Sequence, residues 1–188
     1  MLTITSLSLP ILLSTALVWL AAALIWTVLP WHKNDCSALP DEDSALAALR
    51  PQNIAPGQYN FPHLTSSADI KEAGVRQKFE DGPAGFMTVL PRGAPAMGKN
   101  LVLSVVYYLL VSLVVAYLAS RTLSAGEDYL HVFRVTSTIA WLAYGAAIIP
   151  DSIWFGRPWS GAIKSLGDAL VYGLLTGGAF GALWPAIG

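Results

Sequence analysis

Charged side chains are scarce in this 188-residue chain, where they make up 12% of the residues against 54% for hydrophobic ones. Soluble domains carry roughly 25% charged residues, so this composition is typical of an integral membrane protein. The formal net charge is only −1 and no basic run exists, which gives no basis for nucleic-acid binding. The single cysteine, Cys36, excludes an internal disulfide and a cysteine-built zinc site.

Motifs for catalysis and for ligand binding are also missing from the sequence. It has no Gly-x-Ser-x-Gly motif, and its glycine-rich stretches lack the lysine of a phosphate-binding loop. His32 lies four residues before Cys36, but a metal site needs three or four converging ligands, and the spacing of the histidines does not supply them. We therefore predict no catalytic residue, no metal and no cofactor, and allow only for a bound lipid.

Four apolar segments are long enough to cross a membrane, which takes about 20 residues in a helix. We predict transmembrane helices at residues 1–30, about 101–120, about 132–155 and about 163–186. The first segment lacks the basic start and the short apolar core of a signal peptide, so we interpret it as an uncleaved helix. The third contains Pro150, which should kink the helix if it continues past that residue.

A polar segment, residues 31–99, separates the first predicted span from the three-helix bundle of residues 100–188. An acidic start, a basic end and a proline stop predict a short helix over residues 41–50. A second helix, capped by Ser66 or Ser67, is predicted to run through Phe79, and alternating patterns predict strands at 58–61 and 85–90. The predicted fold class is thus an all-α membrane protein of four transmembrane helices, with a small α+β extramembrane domain between helices 1 and 2.

Small residues recur at every fourth position of the last predicted span. On a helix they form one ridge without bulk, which in a membrane lets another helix approach closely. The sequence leaves open whether that helix belongs to the same chain or to another protein. We call this set the small-residue ridge; it consists of Ser165, Ala169, Gly173, Gly177 and Gly181.

Charged residues gather in sequence around the turn between the third and fourth predicted spans. They are Asp151, Arg157, Lys164 and Asp168. Ionisable groups within a membrane are costly and often functional, so a proton or substrate path could use them. The alternative is an interfacial position, where basic side chains extend to the headgroups and the acids pair with them. Lys164 and Asp168 have the spacing of a local helix pair.

Tryptophans and basic residues indicate how the chain sits in a membrane. The tryptophans expected to anchor it at the interfaces are Trp26, Trp31, Trp154, Trp159 and Trp184. Lys33, Arg92, Lys99, Arg157 and Lys164 flank spans on the side of the polar segment, which by the positive-inside rule predicts that residues 31–99 are cytoplasmic. Arg121 and Arg134 lie on the opposite side.

Four stretches of the chain resemble a group of small bacterial membrane proteins of unknown function. They are Trp-x-x-Leu-Pro-Trp-His (Trp26 to His32), the segment Leu39 to Arg50, Ala-Pro-Gly-Gln-Tyr-Asn-Phe-Pro (Ala55 to Pro62) and the closing segment Gly173 to Pro185. The resemblance covers nearly the whole chain. It implies a location in the bacterial inner membrane and brings no activity or catalytic residue with it.

Three functional hypotheses follow from these observations. The first is a non-catalytic accessory or scaffolding subunit of a larger bacterial inner-membrane complex, supported by the small-residue ridge and by a polar domain too small to bury a good core alone. The second is a small transporter or channel that uses the charged residues near the last turn. The third is a membrane enzyme that acts on lipid or quinone at the interface. The predicted partners are membrane lipids and either other membrane subunits or a second copy of the chain.

Overall fold

The computed structural model describes residues 2–66, 68–94 and 96–186. The chain is mostly helical and includes a small two-stranded sheet. The described helices and strands are, in order, α1 (Ser8–Thr27), α2 (Glu42–Leu49), β1 (Gly57–Phe61), α3 (Ala73–Asp81), β2 (Gly85–Val89), α4 (Met97–Thr122), α5 (Tyr129–Gly145), α6 (Ile148–Trp154) and α7 (Trp159–Ala182). Short 3₁₀ helices lie at Thr5–Leu7, Pro30–His32, Arg50–Gln52 and Asp69–Lys71.

The chain divides into two compact units. One consists of Met1–Asp35 with Ala96–Gly188 and the other of Cys36–Pro95. The second unit holds α2, α3 and the antiparallel pair β1–β2, in which Gly57 lies opposite Val89. Asp41 caps α2, because its Oδ1 accepts a hydrogen bond from the Ser44 backbone N–H at 3.0 Å.

Three helical segments in the described part of the chain are long and apolar enough to cross a membrane: Thr5–Thr27, Met97–Thr122 and Tyr129–Trp154. The coarse prediction of a mostly helical chain, with apolar helices that could span a membrane and a small two-stranded sheet, is therefore confirmed. The three segments are compatible with a multi-pass membrane protein. The fourth helix, α7, has 24 residues and includes Lys164 and Asp168. It packs most extensively on α5 and also on α1, which in turn packs on α4.

The third apolar segment is broken where the sequence predicted a continuous or kinked helix. α5 ends at Gly145 and α6 begins at Ile148. Pro150 therefore lies in the first turn of α6, where its missing N–H removes no helical hydrogen bond. α5 begins cleanly because Asp128 accepts hydrogen bonds from the backbone N–H groups of Leu130 and His131.

The second helix of the polar segment begins later than its predicted cap. α3 starts at Ala73, its N-cap is Glu72, and no side chain caps it. The Ser66 backbone N–H instead donates to Asp69 Oδ2 at 2.8 Å, in the turn that precedes the helix. Ser66 as the cap was therefore wrong, and Ser67 lies outside the described residues.

Candidate functional site

The small-residue ridge of α7 faces α5 of the same chain. A Cβ atom on Gly177 would lie 2.9 Å from the Phe133 carbonyl oxygen, and one on Gly173 would lie 2.9 Å from that of Ser137. A Cβ on Gly181 would meet the Tyr129 ring at 2.8 Å. These distances are shorter than van der Waals contact, so the two helix backbones approach closely only because the glycines lack side chains. The glycines of the ridge are therefore used in packing within the chain.

Near the Ser165 end of the ridge lies a partly buried polar cluster, which we call the His32 cluster and which consists of His32, Asp35, Lys164 and Asp168. His32 Nε2 lies 2.7 Å from Asp168 Oδ2, and His32 Nδ1 lies 2.5 Å from Asp35 Oδ2. Lys164 Nζ donates to Asp35 Oδ1 at 2.6 Å. The side chains of His32 and Asp168 are only 5% and 7% exposed, so this ionisable pair is withdrawn from water.

Local chain geometry explains how the four residues meet. The 3₁₀ turn Pro30–His32 follows α1, and Asp35 comes three residues after His32, close enough for their side chains to meet. Lys164 and Asp168 lie one helical turn apart on α7, so they share a face of that helix. Trp26, in the last turn of α1, stacks flat on the His32 ring at 3.9 Å between centroids and holds its orientation.

The fold brings together only two of the four charged residues that the sequence placed around the turn before α7. Lys164 and Asp168 belong to the His32 cluster, whereas Arg157 donates to Ser165 Oγ at 3.1 Å. Asp151 is exposed on α6 and forms no ion pair within the described residues. Its backbone carbonyl, not its carboxylate, accepts from Arg157.

The contacts of the His32 cluster require a particular number of protons. The hydrogen bond from Lys164, followed by that from His32, holds the pKa of the Asp35 carboxyl below its ordinary value of 3.8. A neutral imidazole carries one N–H, yet both ring nitrogens of His32 face carboxylate oxygens. Satisfying both contacts therefore requires one additional proton, held on His32 or on a carboxyl group. With His32 protonated, two cations balance two anions.

Asp168 also borders an aromatic cleft of about 140 Å³, which we call the tyrosine cleft. The cleft lies between α1, α4, α5 and α7. Its lining comprises Trp26, Tyr107, Tyr108, Tyr144, Ile148, Ser165, Asp168, Ala169 and Tyr172. Tyr108, Tyr144 and Tyr172 contact one another edge to face, with centroids 5.6–6.1 Å apart.

Two tyrosine hydroxyl groups beside the cleft are buried. They belong to Tyr144 and Tyr172, each only 8% exposed. The Ser112 and Thr176 side chains lie within reach of the Tyr144 hydroxyl, and the Trp26 indole lies within reach of the Tyr172 hydroxyl. Both hydroxyl oxygens have almost no solvent-accessible surface, so they face packed side chains and not the open space of the cleft.

A second cleft, of about 450 Å³, also borders the His32 cluster. It is lined by residues 26–30, His32 and Lys33. His32 therefore borders this cleft, while its partner Asp168 borders the tyrosine cleft. Beyond the tyrosines, the bundle core contains a further polar contact, in which Ser14 Oγ donates to Ser112 Oγ at 3.0 Å.

The predicted tryptophan anchors fall into different environments. Trp31, Trp154 and Trp159 are about half exposed or more. Trp26 is exposed at 55% but also stacks on His32 and lines both clefts. Trp184 differs, because its indole N–H donates to the Ser124 carbonyl at 2.8 Å and ties the end of α7 to the loop after α4.

No protein-family model, curated protein or solved structure matches the chain. Within the described residues, no three or more His, Cys, Asp or Glu side chains are arranged to hold a metal ion. The residues that sequence reasoning missed are His32 and Asp35, together with the four cleft tyrosines. The available signal was the ionisable His32-x-x-Asp35 pair beside Trp26 and Trp31, at the end of an otherwise uncharged span.

Proposed function

We propose that this protein is a small membrane transporter that binds and releases a proton at the His32 cluster. In this proposal α7 is the fourth transmembrane helix, and residues 31–99 remain the cytoplasmic segment of a bacterial inner-membrane protein. The observation that carries the proposal is the buried histidine whose two ring nitrogens both face carboxylates, beside a cleft that enters the helix bundle.

The burial of Asp168 and its contact with His32 support a role beyond that of a solvated charge. Its side chain is only 7% exposed and lies 2.7 Å from His32 Nε2, at the level where α1 ends. Ionisable groups withdrawn from water in a membrane protein are costly, and chains of Asp, Glu and His there are typical of proton relays.

The arrangement of the two clefts supports a path through the cluster. A proton that enters from the cleft beside Lys33 can reach His32 and pass to Asp168 over 2.7 Å. Asp168 faces the tyrosine cleft, where a substrate could compete for its charge. Loss of the His32 proton would weaken the contact with Asp168, so proton release and substrate binding at Asp168 would be linked.

The small-residue ridge no longer favours the accessory-subunit hypothesis over this one. Its glycines pack on α5, so the feature that suggested a partner subunit is explained within the chain. That hypothesis stays a prediction, as does an enzyme that acts on lipid or quinone, and no contact among the described residues specifically supports either.

The proposal is tested by proton movement in vesicles. The full chain, reconstituted with a pH-sensitive dye inside, is given a panel of small amines, carboxylic acids and neutral polyols from outside. At least one class should change the internal pH beyond the passive leak of protein-free vesicles. Asp168→Asn should reduce that signal at least about tenfold, because it removes the carboxylate that shares the proton.

The matched control is Asp151→Asn, which removes an exposed carboxylate at the same end of the bundle. It should leave the signal within about twofold of the wild type. Equal signals from Asp168→Asn and the wild type, or wild-type vesicles indistinguishable from protein-free ones for every class, would contradict the proposal.

A further inference from the structure

We infer that the Lys164–Asp35 ion pair positions the transported proton on His32. The pair keeps an N–H on Nδ1 and leaves Nε2, which faces Asp168, as the nitrogen that gains and loses the proton. This inference concerns the same site and rests on the proposed function. Its evidence is the order of the contacts in the His32 cluster, the unequal pairing of the two carboxylates and the stacking of the imidazole ring.

The four side chains of the His32 cluster contact one another in a definite order. Lys164 Nζ lies 2.6 Å from Asp35 Oδ1, and the other oxygen of that carboxylate, Oδ2, lies 2.5 Å from His32 Nδ1. His32 Nε2 in turn lies 2.7 Å from Asp168 Oδ2. Each ring nitrogen of His32 therefore faces a different carboxylate, and only the carboxylate at Nδ1 also contacts Lys164.

The two carboxylates thus differ in the positive charge that contacts them. The hydrogen bond from Lys164, followed by that from His32, holds the pKa of the Asp35 carboxyl group below its ordinary value of 3.8. Asp168 contacts His32, while Lys164, one turn away on the same helix, donates to Asp35 instead. Asp35 therefore stays ionised throughout the pH range in which a histidine ordinarily titrates.

An ionised Asp35 determines which ring nitrogen of His32 keeps its proton. A carboxylate has only hydrogen-bond acceptors, so a hydrogen bond between it and Nδ1 requires an N–H on Nδ1. The hydrogen bond made by one ring nitrogen of a histidine sets the protonation of the other. Nδ1 is therefore held as a donor, and the proton that enters and leaves is the one on Nε2.

Stacking keeps each ring nitrogen with its own partner. The Trp26 indole lies parallel to the His32 ring, with 3° between the planes and 3.9 Å between the centroids. Turning the imidazole out of this plane would break the stack and both contacts with carboxylates. The His32 side chain is only 5% exposed, so little of the ring is open to water.

The proposed step moves one proton and leaves the total charge of the cluster unchanged. With His32 doubly protonated, the cluster holds two cations and two anions. Transfer of the Nε2 proton to Asp168 Oδ2 gives a neutral imidazole, with its N–H on Nδ1, and a neutral carboxylic acid. Asp35 and Lys164 stay charged and paired. Loss of the proton from Asp168 to the tyrosine cleft leaves one net negative charge, which the next proton cancels.

The test is ¹⁵N spectroscopy of labelled histidine in the full chain in lipid, titrated from about pH 5 to about pH 9. In the wild type, His32 Nε2 should lose its proton while Nδ1 keeps its N–H. Asp168→Asn should leave the Nδ1–H tautomer as the neutral form, and Asp35→Asn the Nε2–H tautomer, because each variant keeps one carboxylate. The same tautomer in the two variants, or the opposite assignments, would overturn the inference.

Lys164→Gln tests the ion pair itself. It removes one positive charge from the cluster, so the pH at which His32 Nε2 loses its proton should rise by about one unit. The Nδ1 signal should change toward that of a proton shared with Asp35. Lys164→Arg keeps the charge and should restore the wild-type titration. Lys99→Gln, which removes an exposed lysine of α4, should not change it. A Lys164→Gln protein that titrates as the wild type does would overturn the inference.

The titration reads every ionisable group that faces His32 or its partners. Besides Asp35, Lys164 and Asp168, these groups are Tyr108 and Tyr172, which lie near Asp168. The His131 signal reports whether a variant is folded, because His131 lies on α5 outside the cluster. If Lys164→Gln does not fold, the two carboxylate variants still decide which nitrogen keeps its proton.

Two outcomes separate this inference from the proposed function. An Nδ1 that keeps its N–H, in a protein whose vesicles show no proton movement with any substrate class, would support the positioning role and contradict transport. Asp168-dependent proton movement in vesicles, with Nδ1 of His32 losing its N–H before Nε2, would overturn the positioning role alone.

Discussion

The His32 cluster shows what sequence reasoning can and cannot reach at the scale of single residues. The predicted local pair of Lys164 with Asp168 was wrong, because Lys164 contacts Asp35 and Asp168 contacts His32. The i, i+4 spacing correctly placed the two side chains on one face of α7. The contact of His32 with Asp168 joins residues 136 positions apart, and no local pattern indicates it. The sequence analysis considered His32 as a metal ligand together with Cys36. Its partners in the structure are Asp35, three residues later, and Asp168 of α7.

A pH dependence follows from Asp35, which lies outside the membrane helices. Its pKa in the folded protein lies below the ordinary value of 3.8, chiefly because Lys164 donates to it. A lowered folded-state pKa contributes stability that is present above the unfolded-state value and is lost as the pH falls through the folded-state value. We expect the melting temperature of the detergent-solubilised protein to fall on acidification below about pH 4.

Asp35→Asn should flatten the acid limb of the stability curve, which is the fall in melting temperature at low pH, because the amide does not titrate. Asp151→Asn, which changes an exposed carboxylate without an ion pair in the described residues, should keep it. Melting curves recorded at intervals from pH 6 to pH 2 would decide the point, and an unchanged acid limb in Asp35→Asn would contradict it.

At the scale of elements, apolar length predicted the helices better than their ends or neighbours. The uncharged runs correctly indicated α1 and α4, because about 20 apolar residues have few other stable arrangements in a membrane. The sequence predicted a kink at Pro150 if the helix continued past it. It did not predict that α5 ends at Gly145 and that a separate helix begins at Ile148, since a proline in the first turn of a helix and one inside a helix leave the same sequence signal. The four-residue spacing indicated one face of α7 but not which helix it faces.

The α5–α7 contact predicts unequal effects for two adjacent glycines. Gly177→Ala places a Cβ 2.7 Å from Ser137 Cβ and 2.9 Å from the Phe133 carbonyl oxygen, so a backbone must move. Overpacking of this kind typically costs about 1–3 kcal/mol. Gly178→Ala meets nothing within 4 Å, and alanine is the better helix former, so it should be neutral or slightly stabilising.

Thermal stability of the two variants in the same detergent measures the difference. Gly177→Ala is expected to melt clearly below Gly178→Ala and the wild type. Equal melting temperatures for the two variants would mean that the α5 backbone does not approach α7 as closely as these distances state.

At the scale of the whole molecule, the number of crossings determines the sides on which the two ends lie. Four spans put both termini on one side of the membrane, whereas three put them on opposite sides. We expect tags before Met1 and after Gly188 to be accessible from the same, extracytoplasmic side. The exposed Cys36 should react with a membrane-impermeant thiol reagent only after the cells are opened.

Tags that report opposite sides would contradict α7 as a fourth span. Labelling of Cys36 in intact cells would instead reverse the orientation and leave the number of spans unchanged. Hydropathy alone could not settle the fourth span, because α7 carries Lys164, Asp168 and several glycines, and it is not among the three described segments that are long and apolar enough to cross a membrane.

The transporter proposal depends most directly on a proton shared between His32 and Asp168. The chain has only three histidines, so ¹⁵N labelling of histidine in the full-length protein in lipid gives a spectrum in which His63 and His131 serve as internal references. The wild type should show a His32 Nε2 signal typical of a shared proton, and Asp168→Asn should replace it with that of an ordinary single N–H tautomer. Identical His32 signals in the two proteins would contradict the shared proton and the proton-coupled function proposed from it.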